Sequence, residues 1–151
     1  MMECLKYVVE RYEDLGKNFD TVALLYATSP LMDPKDLQSA CAAFENTDRS
    51  RAMLAVASFP SPIEHAFRID ENLNLYPNQP MDLSKRTQDL PEAFYDAGMF
   101  AFYSPDYIKN CKGAGNFSGF KGFRIPNERV IDIDWPEDWS HAESLKRALD
   151  C

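Results

Sequence analysis

Thr21-Val22-Ala23-Leu24-Leu25-Tyr26, closed by Ala27 and then Thr28-Ser29-Pro30, is the stretch that decides the fold. Six nearly uninterrupted apolar residues are too few for a free-standing helix and suit a strand buried on both faces. Pro30 ends it, and Asp33 followed by Pro34 is an N-cap with proline at the first helical position, opening a helix to about Phe44. Ala52 to Phe59 reads as a second buried strand, stopped by Pro60 and Pro62. On the N-terminal side, Leu5, Val8, Val9, Tyr12 and Leu15 recur with helical period, and Gly16 stands where a C-cap belongs. Helix, strand, turn, helix, strand is the rhythm of an α/β chain with a mostly parallel sheet.

Further along the pattern changes. Phe67-Arg68-Ile69 and Leu73-Asn74-Leu75 alternate about Asp70-Glu71-Asn72, which predicts a hairpin. Tyr76 to Pro91 carries three prolines and the polar side chains Asn78, Gln79, Asp82, Lys85, Arg86, Gln88 and Asp89. Such a segment cannot bury itself and reads as an arm, inserted at about 63–95. Ala97 to Tyr103 is another apolar strand, and Ser104-Pro105 opens a short helix. A glycine-rich loop then runs from Gly113 to Gly122. Val130 to Asp134 reads as a last strand, with Pro136 starting a closing helix through Leu149. The 151 residues hold one ordinary domain without an internal repeat.

Charge excludes some functions. Sixteen Lys and Arg against 24 Asp and Glu give a net charge of −8, which disfavours a nucleic-acid backbone as partner. No apolar run approaches the length of a membrane span. Met1-Met2-Glu3-Cys4 lacks the basic and apolar regions of a signal peptide. Cys4, Cys41, Cys111 and Cys151 are widely spaced, as expected of reduced thiols in a cytoplasmic protein rather than of a zinc site.

Ile131-Asp132-Ile133-Asp134 is the segment richest in chemistry. Carboxylates two residues apart on a strand share a face, and hard oxygen ligands so placed suit Mg²⁺ completed by phosphate and water. The plainer reading is two solvated carboxylates at a strand end. Asp138, in the first turn of the closing helix, is read as an acid facing the helix dipole. Thr28 and Ser29 lie where open α/β sheets bind ligands, so their hydroxyls hold phosphate or sugar, or else form a simple turn. Gly113 to Gly119 does not join strand to helix and lacks a following Gly-Lys-Ser/Thr, so it is not a phosphate loop. His65 and His141 have no nucleophile elbow beside them, and His141 reads as a surface residue.

Together these pieces resemble the cytidylyltransferases that make CMP-activated nonulosonic acids. Leu24 to Leu31 (LLYATSPL) is similar to the family's strand-turn, and Arg86 to Phe94 (RTQDLPEAF) to its arm. Asp96-Ala97-Gly98 is similar to the D-x-G that follows, and Ile131 to Glu143 to its IDID ending. The wording is closer to the pseudaminic acid branch than to the N-acetylneuraminate (sialic acid) branch. The resemblance implies part of a doubly wound, Rossmann-like nucleotidyltransferase domain, the chain being its C-terminal portion. It also implies CMP transfer from CTP to the sugar acid with release of pyrophosphate.

Under that resemblance Asp132 and Asp134 bind Mg²⁺ or Mn²⁺, and Arg86 takes the sugar's carboxylate. Tyr26, Thr28, Ser29 and Gln88 join Arg86 in substrate binding, and the arm crosses the twofold interface of a homodimer. Two positions depart from the pattern: Ala27 replaces a proline, and Trp135 stands where a hydroxyl residue often caps the last helix. The family's glycine-, arginine- and lysine-rich triphosphate loop has no counterpart here. The alternatives are a non-catalytic assembly or binding domain derived from such an enzyme, and a different metal-dependent nucleotide-sugar enzyme.

Overall fold

In the computed structural model, residues 1–78, 83–111 and 119–150 are described. By contact they fall into two units, Met1–Val56 with Asp96–Cys151, and Ala57–Tyr95. Six strands and four α-helices are assigned among them: α1 (Met2–Asp14), β1 (Val22–Leu25), α2 (Pro34–Glu45), β2 (Met53–Ser58), β3 (Phe67–Ile69), β4 (Leu75–Pro77), β5 (Phe94–Tyr103), α3 (Pro105–Asn110), β6 (Lys121–Arg124) and α4 (Pro136–Leu149). The main sheet has the order β1-β5-β2-β6. β1 runs antiparallel to β5, with Val22 opposite Tyr103 and Leu25 opposite Phe100. β2 runs parallel to β6, with Met53 opposite Lys121.

β5 is the spine. Its alternate residues face opposite ways, as a pleated strand requires. Ala101 and Tyr103 join Met2 and Val9 of α1, and Tyr107 and Ile108 of α3, in one buried cluster. Phe102 instead stacks on Phe44 of α2, ring centroids 6.1 Å apart. Helices therefore cover both faces, the layering of an α/β domain. Caps fall where the sequence places them: the Asp33 carboxylate accepts from Lys35 N at 2.8 Å, and Ser104 Oγ from Tyr107 N at 3.2 Å. Gly16, in the left-handed region at φ +73°, ends α1.

Three expectations need correction. β1 is not buried on both faces: it is an edge strand with alternating exposure, and Leu25 is 51% exposed. Its apolar run reads as a central strand because whether a strand pairs on one side or both leaves no local mark in the sequence. Val130 to Asp134 is not a strand, for no ladder forms along it. The loop expected through Gly122 stops earlier, since Lys121–Arg124 is β6. A Cβ on Gly122 would lie 3.1 Å from Val56 Cγ2, so the glycine fits the packing of β6 against β2. The loop's residues 113–118 lie outside those described, as do arm residues 79–82.

In the unit Ala57–Tyr95, β3 and β4 form the expected antiparallel hairpin, with Ile69 opposite Leu75. One Asp70 oxygen accepts from Asn72 N and Asn74 N, both at 2.9 Å, and the other from the Asn74 amide at 3.0 Å. These bonds hold the turn while Leu73 sits at φ +67°. Phe67, Ile69, Leu73 and Leu75 are all exposed.

Candidate functional site

The chain leaves β1 at Tyr26, whose N–H donates to Met99 O on β5 at 3.0 Å. Three residues later Ser29, only 6% exposed, donates its hydroxyl to Gly98 O at 2.7 Å. Thr28 O accepts from Ile133 N at 3.3 Å, which brings the 131–134 segment alongside the same turn. Ile131 is buried with Leu31 and Ala142, while Asp132 and Asp134 are exposed. The in-out alternation expected of a strand therefore persists in a segment that pairs with none.

Gly98 is where these parts meet. It lies at φ +61°, its N–H donates to Asp96 Oδ1 at 3.0 Å, and a Cβ there would stand 3.2 Å from Asp132 Oδ2. Burial, then the charges of Asp96 and Asp132, push the Tyr26 hydroxyl above its ordinary 10.0. It is a neutral donor at physiological pH, and among the described residues its acceptor is the weak Met1 Sδ, at 3.3 Å. Tyr26, Thr28, Ser29 and Asp132 are thus neighbours across the end of β1.

Other candidates are placed differently. Asp138 Oδ2 accepts from the N–H groups of Asp134 at 3.1 Å and Trp135 at 2.8 Å, the helix-terminal role read for it. That bond also explains how α4 starts without a hydroxyl at Trp135. Arg86 and Gln88 belong to the Ala57–Tyr95 unit. The Arg86 guanidinium is engaged by Asp89 through Nε–Oδ2 at 2.8 Å and Nη2–Oδ1 at 3.3 Å. Its fork already grips a carboxylate, in an exposed pair of the kind that contributes about 0–1 kcal/mol and exchanges readily. His141 is exposed on α4.

Asp96 and Gly98 were not among the candidate residues. Their signal was the Asp96-Ala97-Gly98 tripeptide itself, an acid two residues before a glycine able to turn left-handed. Among the described residues no group of three or more His, Cys, Asp or Glu side chains converges as a metal cage would. A cavity of about 940 Å³ opens at the far end of the β1–β5 pair, beside Asp20, Arg49 and Ser104. It contains none of the candidates. No helix among the described residues is long and apolar enough to cross a membrane.

Comparison with known proteins begins with the fold. The chain superposes on a structure of CMP:2-keto-3-deoxy-manno-octonic acid synthetase complexed with CTP with a TM-score of 0.60, over 98% of this chain and 68% of that one, at 11% identity. The likeness shows a shared α/β, Rossmann-like fold. In sequence the chain is 30% identical, over 143 residues, to the pseudaminic acid cytidylyltransferases of two Campylobacter jejuni strains, 81-176 (serotype O:23/36) and ATCC 700819 / NCTC 11168 (serotype O:2). The likeness to these two enzymes runs over 91% of the chain. It spans 58% of the length of those curated relatives. No protein-family profile matches it.

Proposed function

We propose that the chain serves in cytidylyl transfer: the anomeric hydroxyl of a nonulosonic acid, pseudaminic acid first, attacks the α-phosphate of CTP and displaces pyrophosphate. The observation that carries this reading is the 30% identity to pseudaminic acid cytidylyltransferases over nearly the whole chain. The geometry supports it, since such chemistry asks for positioning and charge neutralisation rather than a covalent nucleophile. Asp132 and Asp134 are the residues that would hold Mg²⁺ or Mn²⁺. The donor set fits, because Mg²⁺ commonly takes one or two carboxylates and completes its shell with phosphate oxygens and water. Such an ion supplies charge neutralisation at the phosphates.

The neutral Tyr26 hydroxyl donates a hydrogen bond to bound substrate, with Thr28 and Ser29 on the same turn. Arg86, released from Asp89, grips the sugar acid's carboxylate with two parallel donors, and Gln88 adds an amide. A cytoplasmic homodimer is the form in which we expect the chain to act.

The test is direct. The chain is incubated with CTP, Mg²⁺ and either pseudaminic or N-acetylneuraminic acid, and CMP-sugar and pyrophosphate are followed by ³¹P NMR. The chain by itself is expected to turn over no CTP; product is expected once the triphosphate-loop segment of a relative is supplied in trans, reduced at least about a hundredfold in Asp132→Asn. Sugar-acid binding without CTP binding or product would replace this reading with that of a non-catalytic binding domain.

A further inference from the structure

Asp132 is exposed, and among the described residues its carboxylate has no hydrogen-bond or ion-pair partner. It stands beside Gly98, in the room that a side chain there would take. From the point where a Cβ on Gly98 would stand, Asp132 Oδ2 is 3.2 Å away, Cγ 3.4 Å and Cβ 3.8 Å. The Oδ2 edge of the carboxyl group occupies the space left by the absent side chain.

That glycine is gripped from both sides. Its N–H is held by Asp96 Oδ1 at 3.0 Å and its carbonyl by the buried Ser29 hydroxyl at 2.7 Å. Its φ of +61° lies in the region that L side chains rarely adopt. Each neighbouring contact adds to the same arrangement: Met99 O receives Tyr26 N, and Thr28 O receives Ile133 N, beside Asp132. A carboxylate held by hydrogen bonds spends part of its acceptor capacity on them, whereas one given room beside a glycine keeps that capacity for a ligand.

We infer that Gly98 is a positioning residue, clamped by Asp96 and Ser29 so that its lack of a side chain leaves room for the Asp132 carboxylate, which stays without a hydrogen-bond partner and open to a ligand. The assignment deepens the cytidylyl-transfer reading and rests on it for what the ligand is. Asp96 and Ser29 act through Gly98, Asp96 as a hydrogen-bond acceptor rather than as a charge.

Two substitutions at Asp96 separate acceptor from charge. Asp96→Asn keeps an Oδ1 acceptor and loses the charge, whereas Asp96→Ala loses both. Gly98→Ala places a methyl group against Asp132. Each variant is checked for folding by thermal unfolding and then read in two ways. The first is the side-chain ¹³Cγ resonance of Asp132, assigned through Asp132→Asn. The second is Mn²⁺ affinity in the presence of CTP, from water-proton relaxation.

Gly98→Ala is expected to move the Asp132 resonance and weaken Mn²⁺ at least about tenfold. Asp96→Ala should move both in the same direction, and Asp96→Asn should stay within about threefold of wild type. A folded Gly98→Ala with wild-type resonance and affinity overturns the inference. Should Gly98→Ala fail to fold, the Asp96 pair decides: equal behaviour of Asn and Ala overturns the proposed clamp. If wild type binds no Mn²⁺ with CTP, the metal assignment falls, while the Asp132 resonance still decides the role of Gly98.

Discussion

Arg86 shows how a residue's chemistry and its resting contacts can differ. Its guanidinium is held by Asp89 three residues on, so on the proposed reading a sugar carboxylate would displace an internal one of the same shape. The exchange is nearly even in contacts, and selectivity comes from the fork geometry that lysine lacks. Arg86→Lys should weaken sugar-acid binding by more than about tenfold by calorimetry. Equal affinities would remove Arg86 from the site. Tyr103 offers a check unconnected with substrate. Burial first, then Tyr26, Tyr107, Asp96 and Cys111, push its hydroxyl up to about 12 from an ordinary 10.0. A group whose pKa is raised on folding contributes stability that is complete below the unfolded value and fades as pH rises. Stability should therefore fall between pH 10 and about 12, and Tyr103→Phe should flatten that fall in urea titrations across the range. At this scale the sequence was partly legible. Two carboxylates at spacing two announce a shared face wherever the backbone is extended, with or without a ladder. The left-handed backbone of Gly98 leaves no mark on hydrophobic periodicity.

Elements were readable where their signals are local. Asp33-Pro34 and Ser104-Pro105 cap their helices with bonds made inside a single turn, and the structure has both. Strands depend on partners. Val130 to Asp134 keeps the alternation of a strand but meets no ladder, and Lys121–Arg124 finds one despite the glycine within it. α4 is the informative case, because Trp135 cannot cap it and Asp138 reaches back instead. Asp138→Ala should cost about 1 kcal/mol in denaturant unfolding, the usual worth of a helix cap. Amide exchange at Asp134 and Trp135 should quicken with it. If neither changes, the α4 entry is held by something other than that carboxylate.

For the molecule as a whole, the apolar residues left on the surface are the main unspent resource. Phe67, Ile69, Leu73 and Leu75 stand exposed on one small hairpin, on a chain whose net charge of −8 keeps copies apart in general. Sedimentation velocity over about a hundredfold range of concentration should show a dimer forming, and Leu73→Lys with Leu75→Lys should return the monomer. An unchanged oligomeric state in that double variant would take the hairpin out of the interface. The α/β class and the hairpin were legible from the sequence. The mixed strand order was not, since pairing partners distant in the chain leave no local trace.

The 3.1 Å that would separate a Cβ on Gly122 from Val56 Cγ2 has a consequence beyond this chain. Two positions sharing one small volume cannot drift independently over generations. Homologues that gain a methyl group at the first should lose one or two at the second, and the pair should surface as compensated substitutions when enough sequences are aligned.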